Sequence, residues 1–203
     1  MAGNAYHFIT TWRVKATLPE VNDIIGNAPD LPRWWPAVYL EVKELEQGDE
    51  RGVGKVIDLY TKGWLPYTLR WQFRVIDSRY PYGFALEAWG DFVGRGVWTF
   101  GPDGDHVTIT YDWNIRADKP LLRHFSFIMK PIFSANHRWA MQQGLESLQL
   151  ELARRHAFTP EARARIPAPP ARTTTSSVPL VLGAFGAIGL IVIAGRTLLR
   201  VTR

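Results

Sequence analysis

The stretch FSANHRWAMQQGLESLQLEL, residues Phe133 to Leu152, decides how the rest of the chain is read. Phe133, His137, Met141, Gly144, Leu148 and Leu152 recur at spacings of three or four, which places them along one face of an α-helix. Arg138, Gln142, Glu146, Gln149 and Glu151 fall on the other side and are expected in water. An amphipathic helix of this length needs an apolar surface to cover. The sequence upstream supplies strands that can form one.

Tyr6 to Lys15 alternates, with Tyr6, Phe8, Thr10, Trp12 and Val14 on one face, and reads as a first strand. Thr17 is a helix cap, with Pro19 in the first turn of a helix reaching about Asn27. A second short helix starts at Asp30 and Pro32, runs through Trp35 and ends at Pro36. Adjacent tryptophans cannot both bury on one side of so short a helix, so Trp34 and Trp35 are expected to have different surroundings. Strands follow at Tyr39–Glu46, Gly54–Lys62, Tyr67–Val75, Phe84–Asp91, Gly94–Phe100 and Val107–Arg116, separated by turn residues such as QGDERG and GPDGD. Connections of hairpin length make the sheet antiparallel, one face buried and one wet. On Phe84–Asp91, Trp89 lies opposite Phe84 and Leu86, which leaves the inner face of that strand open. Asp118 and Pro120 begin a helix expected to run to Met129, with Pro131 interrupting it, by kink or break, before the long helix.

Charge and composition narrow the function classes. Residues 1–157 hold 6 Lys and 12 Arg against 18 Asp and Glu, whereas residues 158–203 hold 6 Arg against Glu161 alone. A nucleic-acid binder carries its basic excess on the folded domain; here it lies beside an apolar tail, so no nucleic-acid partner is expected. There is no cysteine, which excludes disulfides and thiolate chemistry. The histidines lack paired spacing with carboxylates, so neither a metal nor another cofactor is expected. No signal peptide is read at MAGNAYHF.

Residues 158–177 combine Pro, Ala, Arg, Thr and Ser without apolar periodicity, the composition of a linker. As a flexible coil it would reach roughly 25 Å and impose no single orientation. Val178 to Gly195 is an uncharged run, including Leu182, Phe185, Ile188, Leu190 and Ile193. At 1.5 Å per residue it spans about 27 Å, near the lower limit for a bilayer crossing. It reads as a single-pass C-terminal anchor followed by a short basic tail, residues 196–203, with domain 1–157 in the cytosol.

Three segments, PRWWPAV at 32–38, EAWGDFVGRGVW at 87–98 and NHRWAMQQGLESL at 136–148, together with the order of elements, carry a resemblance to a known family. Residues 5–157 resemble the START-like superfamily (SRPBCC), in its polyketide cyclase/dehydrase and lipid-transport branch. The resemblance implies an α+β helix-grip fold: a curved antiparallel sheet around the long C-terminal helix, with an apolar cavity between them. The transmembrane helix is no part of that implication and rests on hydropathy.

The residues point to a cavity on their own account. Nine Trp, seven Tyr and ten Phe are far more large rings than a close-packed core needs. A sheet face carrying Trp71, Phe73, Phe84, Leu86, Trp98, Tyr111 and Trp113 suits an apolar ligand. Trp35 from the short helix and Phe133, His137 and Met141 from the long one complete the expected lining. His137, on the apolar stripe, is the one weak catalytic candidate. No Ser-His-Asp order, phosphate loop or dinucleotide fingerprint is present. Gly94 and Gly96 read as positions that let the sheet curve. The expected function is therefore binding of a lipid or other hydrophobic small molecule at a membrane. The alternative is a cyclase or dehydratase using the same cavity, with His137 and Glu87 or Asp112 in acid–base roles.

Overall fold

The computed structural model describes residues 5–117 and 126–173. Strand β1 (Ala5–Val14) is followed by helix α1 (Leu18–Ile25), a 3₁₀ turn (Ala28–Asp30) and helix α2 (Leu31–Trp34). Six strands come next: β2 (Tyr39–Glu46), β3 (Val56–Lys62), β4 (Thr68–Ser78), β5 (Gly83–Gly90), β6 (Phe92–Asp103) and β7 (His106–Ala117). Helix α3 (Ser126–His156) and the short α4 (Pro160–Ala164) close the described chain. The expected order of strand, short helices, six strands and long helix is the order observed. Residues 118–125, where the sequence predicts the start of a separate helix, lie outside the described residues. Pro131 does not break the helix: it sits inside α3, which is continuous from Ser126.

The seven strands form one antiparallel sheet in the order β1-β7-β6-β5-β4-β3-β2. The chain leaves β1, crosses by α1 and α2 to the far edge, and meanders back until β7 pairs with β1 over its whole length. Helix α1 is capped by its own sequence, whereas α2 has no side-chain cap. Thr17 and Glu20 form a reciprocal capping box at α1, the Thr17 amide donating to Glu20 Oε2 at 2.8 Å. His156 Nε2 lies 2.7 Å from Glu20 Oε1, which fastens the C-terminal end of α3 to the start of α1.

The core lies between the inner face of the sheet and α3. Along β4 the alternation is complete: Leu69, Trp71, Phe73 and Val75 are buried while Arg70 and Arg74 are exposed. Phe133, Met141, Leu148 and Leu152 of α3 are buried against them. Glu151 departs from the expectation for the polar side of the helix. It is buried, and Arg33 Nη1 and Nη2 each donate to one of its oxygens at 2.8 Å. Arg155 Nε adds a third bond at 3.2 Å. Burial raises the Glu151 pKa, but the bonds from Arg33 and Arg155 outweigh it, and the net direction is down.

Trp34 and Trp35 are both buried, contrary to expectation. Helix α2 ends at Trp34, and Trp35 takes a non-helical conformation (φ −125°, ψ 53°). The two side chains therefore diverge from the 100° spacing of a helix and pack with ring centroids 5.5 Å apart. Residues 158–173 lie back against the domain. Thr159 caps α4, and Thr173 Oγ1 donates to the Gly63 carbonyl at 3.1 Å. Among the described residues no helix is long and apolar enough to cross a membrane. The run Val178–Gly195, with Val178, Leu182, Phe185, Ile188, Leu190 and Ile193, lies outside them.

Candidate ligand cavity

Two cavities occupy the space between sheet and helices. The larger, of about 400 Å³, is bounded by Phe73, Phe84, Leu86 and Trp98 of the sheet and by Leu31 and Trp34 of the short-helix segment. Its mouth is polar, formed by Asn22, Asp23 and Asn27 on one side and Arg51, Lys55, Ser78 and Tyr80 on the other. The smaller, of about 90 Å³, lies under the first half of α3 and is bounded by Trp113, Phe133, Asn136, His137 and Met141. Trp35, Tyr39, Trp71 and Tyr111 border both. Those four rings are the partition between the chambers.

Each residue expected to line a cavity has a definite place. Phe73, Phe84, Leu86 and Trp98 border the larger chamber, Trp113, Phe133, His137 and Met141 the smaller, and Trp35, Trp71 and Tyr111 both. The open face of β5 is resolved: Leu86 is buried inward, and Trp89 is partly exposed outside, its Nε1 donating to Gln72 Oε1 at 2.9 Å. The rings are held by one another. Trp98 and Tyr111, paired across β6 and β7, stack with centroids 4.0 Å apart, and Tyr111 stacks on Trp113 at 5.5 Å. Gly96 makes this layer possible. A Cβ there would stand 2.8 Å from Tyr111 Oη and 2.9 Å from the Trp113 ring, so its role is to admit rings rather than only to let the strand bend.

Polar groups in the walls are few. Trp71 Nε1 donates to Thr61 Oγ1 at 3.1 Å, which fixes the indole in the partition. Asn136 Oδ1 accepts from the Leu65 amide at 3.2 Å and holds the β3–β4 loop against α3. Burial pushes up the pKa of Tyr39, and that of Tyr111 as well, with the neighbouring Tyr39 and Asp112 adding to the effect. Both hydroxyls stay protonated near neutral pH and offer one donor and two lone pairs each. His137 lies flat against Phe8, centroids 4.1 Å apart, and its Nε2 has no hydrogen-bond partner among the described residues. Burial, then the charge of Arg138, lowers its pKa to about 4. At neutral pH the imidazole is uncharged.

The carboxylates expected to assist His137 do not reach the cavity. Asp112 Oδ1 bonds His7 Nε2 at 2.9 Å on the outer face of β7, and Glu87 is exposed opposite Arg95. They alternate with Tyr111, Trp113, Leu86 and Ala88, which take the inward positions, so strand periodicity turns them to water. Among the described residues no three His, Asp or Glu side chains cluster as metal ligands would. Sequence reasoning missed Tyr39, Thr61 and Asn136. Tyr39 stands at the first position of β2, where alternation has no preceding residue to fix a face; Thr61 and Asn136 are polar residues in apolar surroundings, visible only once the partners are known.

A long helix gripped by an antiparallel sheet, with a cavity between the two, defines the helix-grip class of the SRPBCC superfamily. Residues 7–153 match the family described as polyketide cyclase/dehydrase and lipid transport, and the chain belongs to that family. Nothing among curated protein sequences matches the chain. Among solved structures it is similar to the Zhui aromatase/cyclase from Streptomyces sp. R1128, with 17% identity, TM-score 0.60, and coverage of 76% of this chain and 97% of that one. A Thermus thermophilus protein is similar at 14% identity and TM-score 0.57, covering 70% and 91%. Norcoclaurine synthase from Thalictrum flavum, solved with dopamine and hydroxybenzaldehyde, is similar at 14% identity and TM-score 0.50, covering 76% and 90%. At these identities the likeness is one of fold.

Proposed function

We propose that the chain binds a lipid or another hydrophobic small molecule in the chambers between sheet and α3, and does so at a membrane. The observation that carries this reading is the pair of ring-walled chambers separated only by Trp35, Tyr39, Trp71 and Tyr111. About 400 Å³ is within the range of small-molecule sites, and walls of this kind reward apolar surface while the Tyr39 and Tyr111 hydroxyls orient one polar group. The test is organic extraction of the purified full-length chain followed by mass spectrometry, with titration of an apolar fluorescent probe. A co-purifying apolar molecule that competes with the probe supports binding. Absence of both, in a folded protein, would count against it.

Val178–Gly195 is the proposed anchor, and the domain is proposed to lie in the cytosol. Support comes from the eighteen uncharged residues and from the arginines before them: Arg154, Arg155, Arg163, Arg165 and Arg172 against Arg196, Arg200 and Arg203 after. Protease added to intact cells should spare the domain, and protease added to cytoplasm-out vesicles should remove it. Cleavage from outside intact cells overturns this orientation.

One observation favours a second reading, an enzyme of the cyclase or dehydratase type. His137 borders the smaller chamber, and its Nε2, without a partner among the described residues and uncharged near neutral pH, is available to a hydrogen bond from a bound substrate. His137→Asn would then abolish turnover of a polyketide-like substrate and leave apolar-probe affinity intact. Under the binding reading the substitution leaves both affinity and its pH profile between 5.5 and 8 nearly unchanged.

A further inference from the structure

The two chambers open toward opposite ends of the sheet. The mouth of the larger is set by the β2–β3 turn at Arg51 and Gly52 and by Ser78 and Tyr80 at the end of β4. The smaller is bounded by Gly63, which follows the other end of β3, and by Asn136 in the first half of α3. Strand β3 has seven residues, so these ends are about 20 Å apart or more.

The course of the chain after α3 links one of these ends to the C-terminal apolar run. Helix α3 ends beside the start of α1, where His156 meets Glu20, at the end of the sheet that carries the β6–β7 turn. Residues 157–173 then return toward the opposite end. Arg163 Nε donates to the Ala157 carbonyl at 2.9 Å, Arg154 Nη2 donates to the Pro167 carbonyl, and the return finishes at Thr173. Thr173 is held twice: its hydroxyl donates to the Gly63 carbonyl at 3.1 Å, and its own carbonyl accepts from Lys62 Nζ at 3.1 Å. Four residues, Thr174-Thr175-Ser176-Ser177, separate it from Val178. Five Cα steps reach at most about 18 Å. While Thr173 keeps these bonds, chain connectivity ties the apolar run to the Gly63 end of the sheet, within about 18 Å of Thr173.

We infer that the end of the domain formed by the β3–β4 loop, the first half of α3 and Thr173 is the surface that faces the bilayer. The smaller chamber then lies on the lipid side, and the mouth of the larger chamber points away into water. This rests on the anchor reading given above and replaces a freely orienting linker with a fixed one. Charge agrees with it. Lys130, Arg138 and Arg172 are exposed at this end, suited to anionic headgroups. The turns at the other end offer no such excess: Asp49, Glu50, Asp77, Asp103 and Asp105 stand among Arg51, Lys55, Arg79, Arg13 and Lys15, with Asp77, Asp103 and Asp105 paired with Arg79, Arg13 and Lys15. Trp64, partly exposed in the β3–β4 loop, is a residue that favours the headgroup level.

The chain has no cysteine, so single labels are simple to place. Lys130→Cys and Glu50→Cys, each carrying an environment-sensitive fluorophore, would be reconstituted as full-length protein into phosphatidylcholine–phosphatidylserine liposomes containing headgroup-labelled quencher lipid. Quenching several-fold greater at position 130 than at position 50 is the expected result. In the background of Thr173→Val with Lys62→Met the contrast should fall toward equality. Equal or stronger quenching at position 50, with the protein floating with the liposomes, overturns the fixed orientation and leaves the anchor standing. Protein that stays in the soluble fraction on flotation overturns the anchor and this inference with it.

Discussion

Trp35 rests directly on the backbone of α3 at Gly144: a Cβ at that glycine would lie 2.3 Å from Cζ2 of the indole. The contact joins the short-helix segment to the long helix at the partition between the chambers. It also sets two effects of opposite sign against each other. Alanine improves helix propensity by about 1 kcal/mol over glycine, whereas overpacking a filled site costs about 1–3 kcal/mol. Because the ring is buried and touches Trp12 and Tyr39 as well, it has little room to retreat. Gly144→Ala is expected to lose about 1–2 kcal/mol in urea unfolding, net of propensity, and to weaken apolar-probe binding by pushing Trp35 into the cavity. A neutral or stabilised variant would show that Trp35 is not held there.

Two phenylalanines on the sheet separate cavity lining from packing. Phe100 is 2% exposed and borders neither chamber; Phe73 is 7% exposed and borders the larger. Deletion of a fully packed ring costs about 3–5 kcal/mol, because contacts on every side are lost. Phe100→Ala should show that full cost, and Phe73→Ala clearly less, since part of its surface already faces empty space. The same variants should divide on ligand: probe affinity changes at Phe73 and not at Phe100. Equal destabilisation with unchanged binding at both would argue that the larger chamber takes no ligand.

How much of this is legible in the sequence follows from what each signal depends on. The period-two runs of Leu69–Val75 and Val107–Ile115 reveal strand and face together, because burial on a sheet is decided within one strand. The stripe from Phe133 to Leu152 reveals the gripping face of α3 for the same reason. Glu151 escapes this logic because helical periodicity assigns it outward, and its partner Arg33 lies 118 positions away. Trp34 and Trp35 escape it because α2 stops one residue short of where Pro36 alone would end it, and that stop decides whether both rings can bury. The partition needs Tyr39 and Tyr111 from opposite sides of the cavity, a relation no local pattern contains.

His137 gives a pH dependence whose sign is fixed by its environment. Its folded pKa, about 4, lies below the ordinary value near 6.5, so the unfolded chain takes up the proton more readily. The contribution of this group is complete above pH 6.5 and is lost as pH falls from there toward 4. His137→Asn should flatten the stability profile in that window, measured as the unfolding midpoint at pH 7, 5.5 and 4.5. An unchanged slope would mean that the imidazole is hydrated in the folded protein.

Arg33 and Glu151 yield the sharpest asymmetry. The Glu151 side chain is 4% exposed and that of Arg33 52%, so the two ends of one ion pair face different solvents. Removing the arginine leaves a buried carboxylate with only the longer bond from Arg155; removing the charge on Glu151 leaves a guanidinium that water and Asp30, at 3.1 Å, can satisfy. Loss of one partner from a buried pair costs about 3–5 kcal/mol when the remaining charge is uncompensated. Arg33→Met should approach about 3 kcal/mol at pH 7, and Glu151→Gln should stay near 1–2 kcal/mol. The sign with pH follows from the lowered Glu151 pKa: the pair stabilises fully above the unfolded carboxylate value, about 4.5, and fades as pH falls through the folded one. The penalty of Arg33→Met should therefore shrink below about pH 4.5, where the orphaned carboxylate takes up a proton. Denaturant titrations of both variants and their double mutant at pH 7 and pH 4 measure all of this. Equal costs at pH 7, or a penalty for Arg33→Met that persists at pH 4, would mean that packing of the arginine stem rather than the buried charge holds α2 to α3.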